Sequence, residues 1–189
     1  MTTVLRHLPN VITTMRLAAA PVTAGLLAAG HFNAALGLFA FAGLSDAADG
    51  FLAKRFNFGS KLGRILDPAA DKALMLVLFV TLAALGNVPV WLAATVIARD
   101  VAILGGLTLA VVSRAPIRVR PLIVGKLCTA LQVLYIGWHL AALAFEFPAG
   151  ILEPGDAYAV AAITWLSGFA YLVVLLKAVR ARGRKTASV

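Results

Sequence analysis

Runs of about twenty mostly apolar residues divide this chain at 11–30, 34–53, 65–85, 88–113, 121–145 and 157–176. A helix needs roughly 20 such residues to cross a bilayer core, so each run is long enough to span. The connections leave no room for a soluble domain: His31-Phe32-Asn33 separates the first two runs and Gly86-Asn87 the third from the fourth. Composition agrees, with 61% hydrophobic and 13% charged residues against roughly a quarter charged in an ordinary soluble domain. That balance excludes a typical soluble fold, disorder and a coiled coil. A single cysteine, Cys128, excludes a disulfide scaffold. The expected architecture is all-α: an integral membrane six-transmembrane-helix bundle forming one domain over residues 1–189.

Orientation follows from the basic residues. Arg6 and His7 before the first run look like the start of a signal sequence, but Arg16 and Pro21 within it argue against cleavage. With the N-terminus cytoplasmic, the inside segments hold Arg6, then Lys54, Arg55, Lys61 and Arg64, then Arg114, Arg118 and Arg120, and last Arg180, Arg182, Arg184 and Lys185. The outside loops contain no Lys or Arg, and the longest, 147–156, carries Glu153 and Asp156. This positive-inside pattern places both termini in the cytoplasm. The net charge of +9 then reports topology and anionic lipid or phosphate partners instead of nucleic acid.

The acidic residues are scarce and crowded. Of 8 Asp and Glu in the chain, Asp46, Asp49, Asp67 and Asp71 fall within one short stretch. A charge at mid-depth in a spanning helix costs about 2.5–3.5 kcal/mol on the insertion scale, so the group has no purely structural use of comparable weight. Asp46, Asp49, Gly50 and Ala53 stand at i, i+3, i+4 and i+7, one face of the second helix. Gly63, Asp67 and Asp71 stand at i, i+4 and i+8, one face of the third. Helices joined by a short loop are antiparallel neighbours, so the carboxylates gather near the inner membrane surface. An all-oxygen donor set suits Mg²⁺ or Mn²⁺, and a two-metal carboxylate site serves phosphoryl transfer. Gly50 and Gly63 leave space for a ligand or for helix packing. Pro68 frees the Arg64 carbonyl, as a ligand-site feature or a simple kink.

The stretch from Asp46 to Asp71 resembles the motif of the CDP-alcohol phosphotransferases, D-x2-D-G-x2-A-R-x8-G-x3-D-x3-D. Asp46, Asp49, Gly50, Ala53, Gly63, Asp67 and Asp71 match at every spacing, and Lys54 stands where the family has Arg, followed by Arg55. The resemblance covers nearly the whole chain, since the six-span topology matches too. It implies attack of an alcohol on a CDP-linked lipid with release of CMP. It further implies metal binding by Asp46, Asp49, Asp67 and Asp71, with Asp71 also the catalytic base. Binding of the cytidine diphosphate falls to Asp49, Gly50, Ala53, Lys54, Gly63 and Asp67. Lys54 offers a point charge where Arg offers a fork, so Arg55 is a candidate to share its contact.

Within the family, residues 32–44, Ala98-Arg99-Asp100 and the stretch from Lys126 to Gln132 look like the eukaryotic or mitochondrial, cardiolipin-forming branch. That implies CDP-diacylglycerol as donor and phosphatidylglycerol as acceptor, in a bacterial or mitochondrial inner membrane, with a homodimer as the expected assembly. Phosphatidylglycerophosphate formation from glycerol-3-phosphate is the alternative. Arg99, Arg118 and Lys126 are the candidates for the acceptor's phosphate. Arg99 and Lys126 are intramembrane charges, though Arg99 has Asp100 beside it, and Arg118 serves topology equally well. The basic run 180–185 suits anionic headgroups, and Trp91, Trp138 and Trp165 serve as interfacial anchors or as packing. A divalent-cation transporter also needs intramembrane carboxylates, but it would spread them along a path or show an inverted repeat.

Overall fold

The computed structural model of the chain describes residues 15, 17–56, 63–112, 122–148 and 155–186; at 46–56, 63–71, 107, 110–112 and 178–186 the description extends to the helical backbone alone. The regular structure among the described residues is helical throughout. It comprises α1 (Leu17–Ala28), α2 (Phe32–Phe56), α3 (Gly63–Ala84), α4 (Val90–Val112), α5 (Ile123–Phe145) and α6 (Gly155–Thr186). Each helix lies on one apolar run of the sequence. The last continues beyond its run through the basic segment 180–185, because Ala, Arg and Lys are strong helix formers whether or not they are apolar.

The helix ends show why the connections are so short. Gly30 has φ 77° and Gly86 φ 76°. At the first, the Gly30 and His31 amides donate to the Leu27 and Leu26 carbonyls; at the second, Gly86 and Asn87 donate to Ala83 and Leu82. These are Schellman caps, which need a residue free of Cβ strain in the left-handed region. α5 is followed by Glu146 in the same region, at φ 54°. α4 begins after Pro89, whose carbonyl accepts from Leu92 and Ala93 and whose missing N–H costs nothing in a first turn. α6 opens on Asp156, whose Oδ1 accepts the Ala157 amide at 2.7 Å, an acid at the positive end of the helix dipole.

The helices form two compact units, residues 1–88 with 136–149 and residues 89–135 with 150–189. In the first, the three-residue turn after α1 makes α1 and α2 an antiparallel hairpin. Leu27, Ala35, Leu78, Phe79, Leu82, Ile136 and Leu140 are buried there. Phe39 closes on the backbone at Gly137, 3.4 Å from where a Cβ would stand.

The second unit has a register that can be read from its contacts. Trp91 stacks on Tyr158 at 5.4 Å, Arg99 bonds Ser167, and Gly106 faces Leu175. Both members of these pairs advance together, so α4 and α6 run parallel. Against α6, α5 runs the other way: Gln132 and Cys128 meet Thr164, and Gly125 meets Tyr171.

Polar side chains are buried beside the apolar core, while many large apolar side chains face outward. Thr23, Gln132, His139, Thr164 and Ser167 are buried, whereas Ile123, Leu44, Trp165 and Val90 are 76%, 72%, 70% and 69% exposed. Water would penalise such a surface heavily; hydrocarbon does not. Five threonines (Thr23, Thr95, Thr108, Thr129 and Thr164) each donate their hydroxyl to the carbonyl four residues back, satisfying it within the helix. Ile123–Phe145 and Gly155–Lys177 are each long and apolar enough to cross a membrane.

Candidate functional site

The motif residues lie on the two helix ends that face each other along the chain. Asp46, Asp49, Gly50, Ala53 and Lys54 are on the last turns of α2, and Gly63, Asp67 and Asp71 on the first turns of α3. Helical backbone runs unbroken through both segments, so the motif spacings fall on continuous helix. At 1.5 Å rise per residue, Asp46 and Asp49 stand roughly 15 and 10 Å back from the end of α2, and Asp67 and Asp71 roughly 6 and 12 Å in from the start of α3. Residues 57–62 join the two ends, a link of at most about 25 Å when fully extended. The side chains of these residues lie outside the described portion, as do Arg118 and the loop itself. Oxygen donors at this register have the chemistry of a hard divalent-cation site.

At the near end of this face, Ser45 closes an apolar groove of about 420 Å³ between α1 and α2, lined by Ala18, Ala19, Val22, Leu38, Phe41 and Ala42.

The basic candidates Arg99 and Lys126 belong to the second unit, and they have different surroundings. Arg99 is turned into the helix packing, its side chain 9% exposed. One terminal nitrogen pairs with Asp100 and the other donates to Ser167 Oγ. Its guanidinium carbon sits 5.8 Å from the centroid of the Tyr171 ring, within the reach of a cation–π contact, and its Cγ lies 3.5 Å from the Cβ position of Gly168. Nε is buried without a hydrogen-bond partner among the described residues. Lys126, one turn into α5, is exposed and forms no ion pair among the described residues. It lines an open pocket of about 490 Å³ with Leu122, Gly125, Thr129, Ala130 and Tyr171.

Tyr171 and Ser167 are the residues that the motif and charge reading passed over. A signal for them exists in retrospect: two hydroxyls at i and i+4 share one face of an otherwise apolar helix. Deeper in the same unit, Gln132 Nε2 donates to Thr164 Oγ1 at 3.2 Å and to Cys128 Sγ at 3.4 Å. This polar clamp joins α5 to α6, and each such interhelical bond contributes about 0.6–2 kcal/mol inside a membrane.

Comparison with known proteins bears on the chemistry. The family model for CDP-alcohol phosphatidyltransferase matches residues 6–176. Cardiolipin synthase (CMP-forming) of Homo sapiens is 36% identical over 160 residues, covering 76% of this chain and 53% of that protein. The cardiolipin synthase (CMP-forming) / mitochondrial hydrolase fusion protein of Schizosaccharomyces pombe is 32% identical over 181 residues, 88% of this chain and 30% of that protein. A putative cardiolipin synthase of Mycobacterium tuberculosis is 32% identical over 143 residues, 75% of this chain and 61% of that protein. The chain thus spans about half the length of the human protein and less than a third of the fungal fusion.

Proposed function

The chain belongs to the CDP-alcohol phosphatidyltransferase family, and from that premise we propose that it transfers a phosphatidyl group from CDP-diacylglycerol to phosphatidylglycerol, forming cardiolipin and CMP. The observation that carries this reading is the complete aspartate motif standing on two consecutive helices, α2 and α3. Relatives named cardiolipin synthase in an animal, a fungus and a bacterium support the choice of acceptor. Family membership leaves the transporter reading without support.

In this reading Asp46, Asp49, Asp67 and Asp71 hold divalent cations, on which the family generally depends. Two Mg²⁺ or Mn²⁺ ions fit the donor set, and when bound they supply positive charge against the diphosphate and the departing CMP. Gly50, Ala53 and Gly63 leave room for the cytidine diphosphate to approach the helices, and Lys54 contacts a phosphate. Asp71 takes the proton of the acceptor hydroxyl. The hydroxyl oxygen then bonds the lipid-side phosphorus, and the bond to CMP breaks with its electron pair leaving on the CMP oxygen. Lys126, and Arg118 in the preceding segment, attract the acceptor's phosphate.

The reading includes six spans, one domain over residues 1–189 and cytoplasmic termini, with the site near the inner face of a bacterial or mitochondrial inner membrane. Parallel α4 and α6 with an antiparallel α5 support alternating crossings: Lys126 and the basic run 180–185 then fall at the same end of the second unit. A homodimer is the expected assembly.

The test uses purified protein with Mn²⁺ and CDP-diacylglycerol, offered phosphatidylglycerol and glycerol-3-phosphate in separate reactions. CMP release with phosphatidylglycerol, abolished by a chelator, is expected. Release with glycerol-3-phosphate alone would move the assignment to phosphatidylglycerophosphate formation. No CMP with either acceptor would overturn the proposal.

A further inference from the structure

The pocket beside Lys126 is more than a lysine in an open space. Its far wall is Tyr171, and that ring is held from behind by Arg99, itself anchored to Asp100 and Ser167. Gly125 lets the ring come close: a Cβ there would stand 3.2 Å from Tyr171 Cε2 and 3.2 Å from its Oη. The phenol makes no hydrogen bond with any described residue, while the Thr129 proton is spent on the Gly125 carbonyl at 3.1 Å. An ammonium group and an uncommitted phenol therefore border one pocket, whose volume of about 490 Å³ lies within the roughly 300–1,000 Å³ usual for small-ligand sites. The pocket also sits on the first turn of α5, where the helix dipole adds positive potential.

The geometry points to a glycerol-linked phosphate in this pocket, with Lys126 on the phosphate charge and the Tyr171 hydroxyl donating to a phosphate or glycerol oxygen. Arg99 is a positioning residue that acts through Tyr171. Its terminal nitrogens are engaged with Asp100 and Ser167, and it sets the ring's plane through its cation–π contact. Lys126 as a phosphate contact belongs to the reading above, on which this inference rests. Tyr171 as a ligand contact and Arg99 as the residue that positions it go beyond that reading.

The experiment reads binding separately from turnover. The full chain is reconstituted in phosphatidylcholine vesicles, and acylation of the Lys126 amine by a soluble amine reagent is followed by mass spectrometry. Three conditions are compared: vesicles alone, vesicles containing phosphatidylglycerol, and vesicles with added glycerol-3-phosphate. Slowing of Lys126 labelling is expected with phosphatidylglycerol; slowing only with glycerol-3-phosphate would uphold the pocket and make the free phosphate its ligand. Tyr171→Phe keeps the ring and removes the hydroxyl, and should weaken this protection by about tenfold, the worth of one hydrogen bond to a charged group. Arg99→Lys should weaken it similarly, and the double variant should be no worse than either single one, because both act through one contact. In turnover assays the KM for the acceptor should rise several-fold more than the KM for CDP-diacylglycerol. Unaltered protection in Tyr171→Phe would overturn the inference, as would additive losses in the double variant or an absence of protection in the wild type. Protection without CMP release would leave the pocket standing and remove the proposed reaction.

Discussion

Gly125→Ala adds one methyl group where α5 meets Tyr171, and its cost can be worked from the distances. In a helix, Ala is preferred over Gly by about 0.5–1 kcal/mol, so the change would stabilise if space allowed. It does not: the new Cβ would meet Tyr171 Cε2 and Oη at 3.2 Å, closer than ordinary van der Waals contact. An aromatic ring yields only as a rigid plane, and this one is backed by the Arg99 guanidinium at 5.8 Å. Overpacking of this kind costs about 1–3 kcal/mol, leaving a net loss of about 0.5–2 kcal/mol. Gly105→Ala on α4 is the matched control, because nothing lies within 4 Å of its Cβ position. It should show the helical gain alone. Reversible unfolding of the purified protein in a single detergent gives both values, and the two variants should differ by about 1–3 kcal/mol. Tyr171→Phe in the Gly125→Ala background removes one of the two close contacts and should recover part of the loss. Equal stabilisation by Gly125→Ala and Gly105→Ala would refute the α5–α6 packing described here, and with it the pocket wall.

Asp71→Asn should lower CMP release by about 10²–10⁴-fold, the usual contribution of a general base, with the protein still folded by circular dichroism; full activity would remove Asp71 from the base role. Gly30→Ala and Gly86→Ala meet no neighbour within 4 Å but hold φ of +77° and +76°, so each should destabilise by about 1–2 kcal/mol through backbone strain alone. Glu146→Gly, at φ 54°, should do the reverse by about 1 kcal/mol, and thermal melts of the three variants decide the matter together. Thr164→Val takes from Gln132 its oxygen partner and leaves a buried amide with Cys128 alone; a loss of about 1 kcal/mol is expected, and an unchanged melting point would show that the clamp is not holding α5 to α6.

The helices were legible because the feature that defines them is a run length, which needs no partner to be read. The six helices among the described residues fall on the apolar runs, and the caps at Gly30 and Gly86 coincide with two short connections. The far end of α6 was less legible: hydropathy marks where hydrocarbon ends, while helix propensity continues through Ala, Arg and Lys to Thr186. The aspartate register was equally local. Spacings of three, four and seven place residues on a face as soon as the segment is helical, and α2 and α3 are helical across it.

Arg99 and Lys126 show where that legibility stopped. Both are single charges in apolar surroundings, and both looked alike as phosphate candidates. Their difference lies in residues distant along the chain: Ser167 and Tyr171 come to Arg99 across 68 and 72 positions, and only the parallel packing of α4 on α6 brings them there. Local composition and periodicity determined that the described segments are helical, that they carry large apolar side chains outward, and that the aspartates stand at helical spacings, because those properties follow from each segment by itself. Which cation is tied into the packing and which lines an open pocket was decided by tertiary structure, since a side chain's partners are set by helix register between segments that sequence spacing does not relate.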